Sequence, residues 1–401
     1  MFTFMPTPTP TATATPTLTP TPTHTPTPTW TPTPLPYSGI LHLGHMVPLT
    51  GPFPDIGEEA RQTAELWLQS KDGHVMLDGA AYTLMIRWAD TGLDAALTRR
   101  VARELAREDL LAVIGPYGSV PALEAVRVFD PLGIPTLITW ATYPYITPGH
   151  PFTFRINYNE KLLGQALLEL ASSFGAQSLG IVIAEQETFS EEFGSQLAQQ
   201  ARAQGFQVQV SYFRENDLAS QRQALQQVAQ TDVLIWPLYG DQTRSLLAIA
   251  KELGLTQPVL GTDTWESFEL LHCEECSNLF FITPWVANKR VLTAIPEPAA
   301  WEFAELYQAN YAQLPNQISA LTWDAFELWA QALEQCASLT GDLTRDRACV
   351  QETLAQGTWR GLTGPIRFNE DGDALRCLLV VTWAEDGLWA LHDRICLSEL
   401  E

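Results

Sequence analysis

Residues 110–144, LLAVIGPYGSVPALEAVRVFDPLGIPTLITWATYP, decide the fold that we predict for this chain. The apolar run Leu110 to Ile114 predicts a buried strand, and a Gly-Pro-Tyr-Gly-Ser turn follows it. Residues 120–129 then predict a helix, and Ile134 to Thr139 predicts a second strand. A strand–helix–strand unit of this kind is typical of a parallel α/β sheet.

A residue with a hydroxyl group follows each of these two strands, Ser119 after the first and Thr142 after the second. Because the carboxyl ends of neighbouring parallel strands face one crevice, we expect both hydroxyls to lie there beside a helix N-terminus. This combination of donors favours the binding of a carboxylate. An alternative stays open, in which the glycines of residues 115–118 only make a tight turn and Ser119 caps the helix.

The alternation of strands and helices occurs twice along the chain. Before residue 110, strands at 39–47 and 82–89 alternate with two helices, and after Pro151 further helix–strand units run to about residue 283. Alternation of this kind predicts doubly wound parallel sheets. We therefore predict an α/β protein of two such lobes, which form a hinge-bending clamp around a cleft.

The chain is expected to cross between the lobes three times, near Asn157, Thr283 and Asp373. Helices predicted after the second crossover return it to the first lobe, and Asp386-Gly387 is predicted as the turn of a final hairpin in the second lobe. The predicted division is a disordered linker at 1–36, lobe 1 at 37–157 plus 284–373, and lobe 2 at 158–283 plus 374–401.

Residues 6–36 are a low-complexity tract in which Thr and Pro alternate. Such a tract cannot bury a core, so we predict an extended, solvated stalk of polyproline-like conformation. A stalk connects a domain to an anchor. We therefore expect the natural protein to begin upstream with a signal or lipid anchor.

The chain carries 46 acidic and 23 basic residues, a formal net charge of -23. This charge argues against nucleic acid or an anionic membrane surface as a partner. The sequence contains none of the nucleophile, metalloprotease, P-loop or dinucleotide motifs, and its seven histidines are scattered. We therefore expect neither an enzyme nor a bound cofactor or metal.

Six cysteines fall into three local pairs. One pair is placed opposite across the predicted hairpin, one joins two neighbouring helices, and one is a CxxC in a loop. The predicted disulfides are Cys377–Cys396, Cys336–Cys349 and Cys273–Cys276. For the CxxC, a zinc half-site with His272 and a redox pair stay open as alternatives. Three local pairs and an even number of cysteines indicate an oxidising, extracytoplasmic compartment.

Several short segments follow one another in a fixed order from residue 48 to residue 373. They are Pro48-Leu-Thr-Gly-Pro-Phe53, Ala89-Asp90, Ile114-Gly-Pro-Tyr-Gly-Ser119, Thr142-Tyr-Pro144, Phe152-Thr-Phe-Arg155, Tyr239-Gly240, Gly261-Thr-Asp263 and Gly364-Pro-Ile-Arg-Phe-Asn-Glu-Asp-Gly-Asp373. In this order the chain resembles the type I periplasmic solute-binding proteins, specifically the leucine/isoleucine/valine-binding family of ABC transporters. The resemblance covers about residues 38–401, and it rests on the order of the segments because each is short.

The resemblance implies a site for a zwitterion. In amino-acid-binding members, the ligand carboxylate meets hydroxyl groups at the positions of Ser119 and Thr142. The ligand ammonium meets a tyrosine at the position of Tyr239 and an acidic residue at the position of Asp263. A closed cleft strengthens such charge-assisted bonds because it excludes water.

Aromatic side chains from the same loops are expected to line the pocket for the rest of the ligand. They are Phe53, Trp140, Phe189 and Trp265. Aromatic groups in a cleft suit an apolar or aromatic ligand group. The expected ligand is therefore an amino acid with an apolar side chain, or a similar small polar solute.

These expectations define a transport component. The protein would be a monomeric, stalked, extracytoplasmic binding protein that closes on its solute and delivers it to a membrane permease of an ABC transporter. In a second hypothesis the same clamp is the ligand-sensing ectodomain of a signalling system. A third, weaker one is a surface protein that uses the fold only as a scaffold.

Overall fold

The computed structural model describes residues 35–266, 273, 276, 278–336 and 338–396. Most of the predicted stalk, the residue His272 and the end of the predicted hairpin beyond Cys396 lie outside the described residues. In the described part of the chain, no helix combines the length and the apolar character that crossing a membrane requires.

Fifteen strands and eleven α-helices make up the described part. The strands are β1 (Ile40–Val47), β2 (His74–Leu77), β3 (Ala80–Asp90), β4 (Leu110–Ile114), β5 (Thr136–Ile138), β6 (Thr153–Arg155), β7 (Ser178–Ala184), β8 (Gln207–Phe213), β9 (Val233–Ile235), β10 (Val259–Gly261), β11 (Leu279–Thr283), β12 (Thr358–Gly361), β13 (Gly364–Phe368), β14 (Ala374–Trp383) and β15 (Trp389–Cys396). The helices are α1 (Pro54–Ser70), α2 (Ala95–Leu105), α3 (Ser119–Phe129), α4 (Glu160–Ser173), α5 (Thr188–Ala203), α6 (Leu218–Val228), α7 (Gly240–Glu252), α8 (Lys289–Leu292), α9 (Ala299–Tyr311), α10 (Gln317–Gln335) and α11 (Leu343–Gln356).

The first sheet has the order β2-β3-β1-β4-β5-β6. Its strands run parallel from β3 to β6, as the βα alternation predicts. Only β2, which the sequence analysis missed, is antiparallel, and it pairs with β3 through a tight turn. Asp78 and Gly79 in that turn both have positive φ, of 48° and 78°, which is typical of a two-residue hairpin connection.

The second sheet has the order β12-β13-β14-β11-β10-β9-β7-β8, with β15 on β14. Its central strands are parallel, whereas β14 runs antiparallel to β11. The α/β class with two lobes of mainly parallel sheet is therefore confirmed. The short hairpin of β12 and β13 was not predicted, because residues 364–373 were expected only to lead into a crossover.

Helix α10 and the hairpin of β12 and β13 pack against the first sheet. Leu321 and Trp329 of α10 and Ile366 of β13 share one buried core with Leu43 of β1. The backbone of the hairpin is hydrogen-bonded to β14 of the second sheet, whereas its buried side chains pack against the first sheet. The residue boundaries given above for the two lobes stay a prediction.

A buried polar network joins the segments at the first and third predicted crossovers. The carboxylate of Asp373 pairs with the guanidinium of Arg155, and the Nε–Oδ1 distance is 2.8 Å. The same carboxylate accepts hydrogen bonds from Thr147 Oγ1 at 2.9 Å and from Asn159 Nδ2 at 2.6 Å. Both charged side chains are almost fully buried, so the charge of each compensates for the lost hydration of the other.

The three predicted disulfides are all present, and their pairing is confirmed. Cys377 faces Cys396 in the ladder of β14 and β15. Asp386-Gly387 lies in the turn as predicted, but the loop has three residues, 385–387, because the N–H of Ala384 donates to the carbonyl oxygen of Leu388 at 2.9 Å. A bulge beside Val380 shifts the register by one residue and brings the cysteines opposite each other. The described residues contain no group of three or more metal-binding side chains.

Candidate ligand-binding site

A cavity of about 520 Å³ is lined by residues of both lobes. The first lobe contributes the start of α3 and the loops after β4 and β5, and the second contributes the starts of α4 and α5 and the loops after β9 and β10. These loops follow the carboxyl ends of parallel strands, where α/β sheets bind ligands. The volume lies in the range of small-molecule sites.

Six of the eight predicted binding residues line this cavity. They are Ser119, Trp140, Thr142, Phe189, Tyr239 and Asp263. Their convergence follows from the sheet orders, because β4 is next to β5 in one lobe and β9 is next to both β7 and β10 in the other. That they contact a ligand stays a prediction.

The structure corrects the prediction that Phe53 and Trp265 line the pocket. Phe53 directly precedes α1 with 55% of its surface exposed, and it does not reach the cavity. Trp265 is fully buried in the core of the second lobe. Its ring lies so close to Gly261 that a Cβ atom there would approach it to 2.2 Å. An aromatic residue beside a strand end has packed inward here, where the glycine leaves room for it.

The hydroxyl groups of Ser119 and Thr142 lie in different surroundings. The Oγ atom of Ser119 accepts a hydrogen bond from the backbone N–H of Tyr143 at 3.3 Å, which leaves its own proton free. The N-cap of α3 is Gly118, with φ +86°, so the alternative that Ser119 caps the helix is wrong. Thr142 Oγ1 donates its proton to Glu160 Oε1 at 3.0 Å, so this proton is already engaged by a carboxylate.

The acidic side of the cavity centres on Asp263, which lies two residues after the end of β10 and is 5% exposed. Burial raises the pKa of this carboxyl to about 6, above its ordinary value of 3.8, because charge is poorly solvated there. Tyr239 precedes α7, and burial together with the charges of Glu187 and Asp263 raises the pKa of its phenol to about 12. The phenol is therefore a neutral donor beside a buried carboxylate.

Two further residues of the cavity, Tyr158 and Glu160, were missed by the sequence analysis. Tyr158 is fully buried, and its hydroxyl interacts with the carboxylate of Asp263. Burial and the nearby charge of Asp263 raise the pKa of this phenol well above its ordinary value. Both residues follow the predicted first crossover near Asn157. This position could have predicted that they line the cavity, because the residues next to a crossover between two lobes lie beside the cleft.

The aromatic side chains of the cavity are held by stacking. Trp140 lies on Tyr117 with ring centroids 4.8 Å apart and an interplanar angle of 7°. Phe189 stacks on Phe193 at 5.5 Å. Such pairs fix the ring orientations, so the apolar part of the cavity is largely formed before a ligand binds.

A sequence model of the periplasmic binding proteins matches residues 41–387. The match covers most of the 401 residues, and the chain therefore belongs to the periplasmic binding protein family. The resemblance to the type I solute-binding proteins is confirmed. No curated protein matches the chain.

Solved structures of solute-binding proteins share the fold. A leucine-binding protein LivK from Thermotoga maritima has 20% identity and a TM-score of 0.69, over 89% of this chain and 99% of its own. An ABC transporter substrate-binding protein from Desulfitobacterium hafniense, in complex with Leu, has 21% identity and a TM-score of 0.70, over 88% and 99%. A solute-binding protein from Rhodopseudomonas palustris, in complex with 3,4-dihydroxybenzoic acid, has 17% identity and a TM-score of 0.72, over 90% and 99%.

Proposed function

We propose that this protein binds an amino acid, or a similar small solute with a cationic amino group, and delivers it to the membrane permease of an ABC transporter. Membership of the periplasmic binding protein family supports solute binding. Similar structures that are described as parts of ABC transporters support the transport role. Since one of them holds Leu and another a dihydroxybenzoic acid, the ligand must be inferred from this chain's own cavity.

The observation that carries the proposal is the buried carboxylate of Asp263 in the cavity. Among the described residues that line the cavity, none is Lys, Arg or His. A buried carboxylate without a positive partner is unfavourable, and an ammonium group of the ligand would supply that partner. The free hydroxyl of Ser119 and the N-terminus of α3 are suitable donors for a ligand carboxylate.

The site suits binding rather than catalysis, and we place the protein outside the cytoplasm. The family and the three disulfides agree with that compartment. In the proposed arrangement the protein acts as a monomer, and the Thr/Pro tract of residues 6–36 connects it to the membrane.

A thermal-shift screen of the full chain tests this proposal. The first plate holds the twenty amino acids, and the second holds amides, polyamines and small carboxylates, including benzoate. A ligand at 100 times its dissociation constant adds about 2.7 kcal/mol of stability, so a binding amine raises the unfolding midpoint. The proposal is contradicted if no amine raises the midpoint, or if only carboxylates without an amino group do.

Substitution of Asp263 then tests the assigned contact with the best amine from the screen. Asp263→Asn is expected to weaken its binding by about 2–5 kcal/mol, the typical loss when one partner of a buried charge pair is removed. Asp241→Asn is the matched control, because Asp241 lies on the same lobe but is exposed at the start of α7. Equal affinities of the two variants in calorimetry would exclude Asp263 as the partner of the ammonium.

A further inference from the structure

Glu160 is a second buried carboxylate in the cavity, separate from Asp263. It is the first residue of α4, 8% exposed, and it lines the cavity from the second lobe. Its Oε1 atom accepts the proton of Thr142, whereas its Oε2 atom is buried and has no partner among the described residues. A buried carboxylate oxygen without a donor costs free energy in the empty protein.

The surroundings of Glu160 do not neutralise it. The positive charge of Arg155 lowers the pKa of the carboxyl, but burial raises it by more. The guanidinium of Arg155 pairs with Asp373 and also donates to the carbonyl oxygen of Ala141 at 3.1 Å. Arg155 is not among the residues that line the cavity. Glu160 itself is among the lining residues, and none of the described residues that line the cavity beside it is basic.

The other two carboxylates that line the cavity, those of Glu187 and Glu192, are stabilised by hydrogen bonds or by solvent. Glu187 accepts hydrogen bonds from the backbone N–H groups of Phe189 and Ser190 at the start of α5. Glu192 is exposed to solvent. Among the described residues that line the cavity, Asp263 and Glu160 are thus the two buried acids, and they come from different loops of the second lobe.

A position in the first turn of a helix explains part of this arrangement, because a carboxylate there is stabilised by the helix dipole. However, Asn159 already caps α4 by accepting from Leu162 N at 3.0 Å. Capping therefore does not require Glu160 to be buried with one oxygen unpaired. The same carboxylate would also repel a ligand carboxylate placed at Thr142, where the resemblance implies one.

We infer that the ligand carries a cationic amine or guanidinium group that pairs with Glu160, so that the solute is a basic amino acid or a diamine. This inference rests on the proposed function. One ammonium lies at Asp263 and the second cationic group at Glu160. In a basic amino acid, the α-carboxylate lies at Ser119 and the N-terminus of α3. The ring of Trp140, which is held by stacking on Tyr117, gives the cavity an apolar wall for the methylene chain that joins the two groups.

Titration calorimetry on the full chain tests the inference with L-lysine, L-arginine, putrescine, L-leucine and benzoate as probes. We expect one of the first three to bind at least tenfold more tightly than L-leucine and benzoate. Binding of putrescine alone identifies a diamine site, whereas binding of L-lysine or L-arginine alone identifies a basic amino acid site. Glu160→Gln keeps the shape of the side chain but removes its charge. We expect this variant to bind the cationic probe about 30-fold or more weakly than the unchanged protein does.

Two variants separate a lost contact from a damaged fold. Glu169→Gln makes the same change on an exposed position of α4 outside the cavity and is expected to leave affinity unchanged. Glu160→Asp keeps the charge, so it should retain more affinity for the cationic probe than Glu160→Gln does. Thermal unfolding of each variant checks that it is folded.

The inference is wrong if L-leucine binds best and Glu160→Gln leaves its affinity unchanged or improves it. That result would leave the proposed function intact, because an amino acid would still be bound. The inference is also wrong if a cationic probe binds but Glu160→Gln and Glu169→Gln have equal affinities. If none of the amines binds, the inference and the proposed function both fail.

Discussion

The two buried acids of the cavity show how burial and function are connected at single residues. Asp263 and Glu160 both have a raised pKa, and burial is the main cause in each case. A raised pKa means that the ionised carboxylate is poorly stabilised in the empty protein. A cationic group that enters the cavity stabilises the ionised carboxylate by forming a charge pair with it.

The pKa of Asp263, about 6, predicts a pH dependence of binding. The ionised form binds a cation, so affinity for an amine is expected to fall as the pH drops through 6. If this group alone titrates, affinity at pH 5 is about tenfold lower than at pH 7. Glu160 acts in the same direction, because its pKa is also raised. Calorimetry at the two pH values and constant ionic strength measures the change, and equal affinities would contradict the prediction.

Acidification is expected to change the stability of the empty protein in the opposite direction to its affinity for an amine. The folded protein binds the proton of Asp263 more tightly than the unfolded chain, whose carboxyl has the ordinary pKa of 3.8. In the absence of ligand, this residue therefore favours folding as the pH falls through 6, and its contribution is complete below 3.8. Acidification should thus weaken amine binding while this residue stabilises the empty protein.

The sequence predicted residues of the cavity in the loops that follow strands. Ser119 and Thr142 were predicted because polar residues after neighbouring parallel strands are expected to face one crevice, whereas Tyr239 and Asp263 were named from the resemblance to amino-acid-binding proteins. Trp265 was misplaced because an aromatic side chain beside a strand end can turn either way, and the space beside Gly261 decided its direction. Such packing depends on distant parts of the chain and is not visible in local sequence.

At the scale of elements, most helices and strands were predictable, including the three-residue strands β5, β9 and β10. Helices such as α4 and α10 and strands such as β4 follow from apolar periodicity and capping residues. The strands β2 and β6, at the two edges of the first sheet, were missed because they have only four and three residues, in which polar and apolar side chains are mixed. They exist because neighbouring strands provide hydrogen-bond partners, and that is a tertiary effect.

The crossover segments provide a prediction at this scale. Asp373→Ala removes the partner of the buried Arg155 and the acceptor for Thr147 and Asn159. Because an uncompensated buried charge remains, we expect the free energy of unfolding to fall by about 3–5 kcal/mol. Urea unfolding measures this change, with the exposed neighbour Asp371→Ala as the control. Equal free energies of unfolding of the two variants would show that the buried network at the crossovers does not contribute to stability.

At the scale of the whole molecule, the fold places the two buried acids in the second lobe and the hydroxyl of Ser119 in the first, around one cavity. No described residue that lines the cavity has a basic side chain. A ligand that pairs with the acids and places its carboxylate at Ser119 can therefore bridge the lobes, and it favours the closed arrangement because it contacts both only there. The order of strands and helices predicted this two-lobed architecture, but the charge of the cavity required the structure.

Small-angle X-ray scattering of the full chain, without and with a saturating amine from the screen, tests the central claim most directly. We expect the radius of gyration to decrease when the amine binds, because the solute draws the two lobes together. The Thr/Pro tract is the same in both samples and does not produce the difference. An unchanged scattering curve, measured where calorimetry shows full occupancy, would contradict a clamp that closes on its solute.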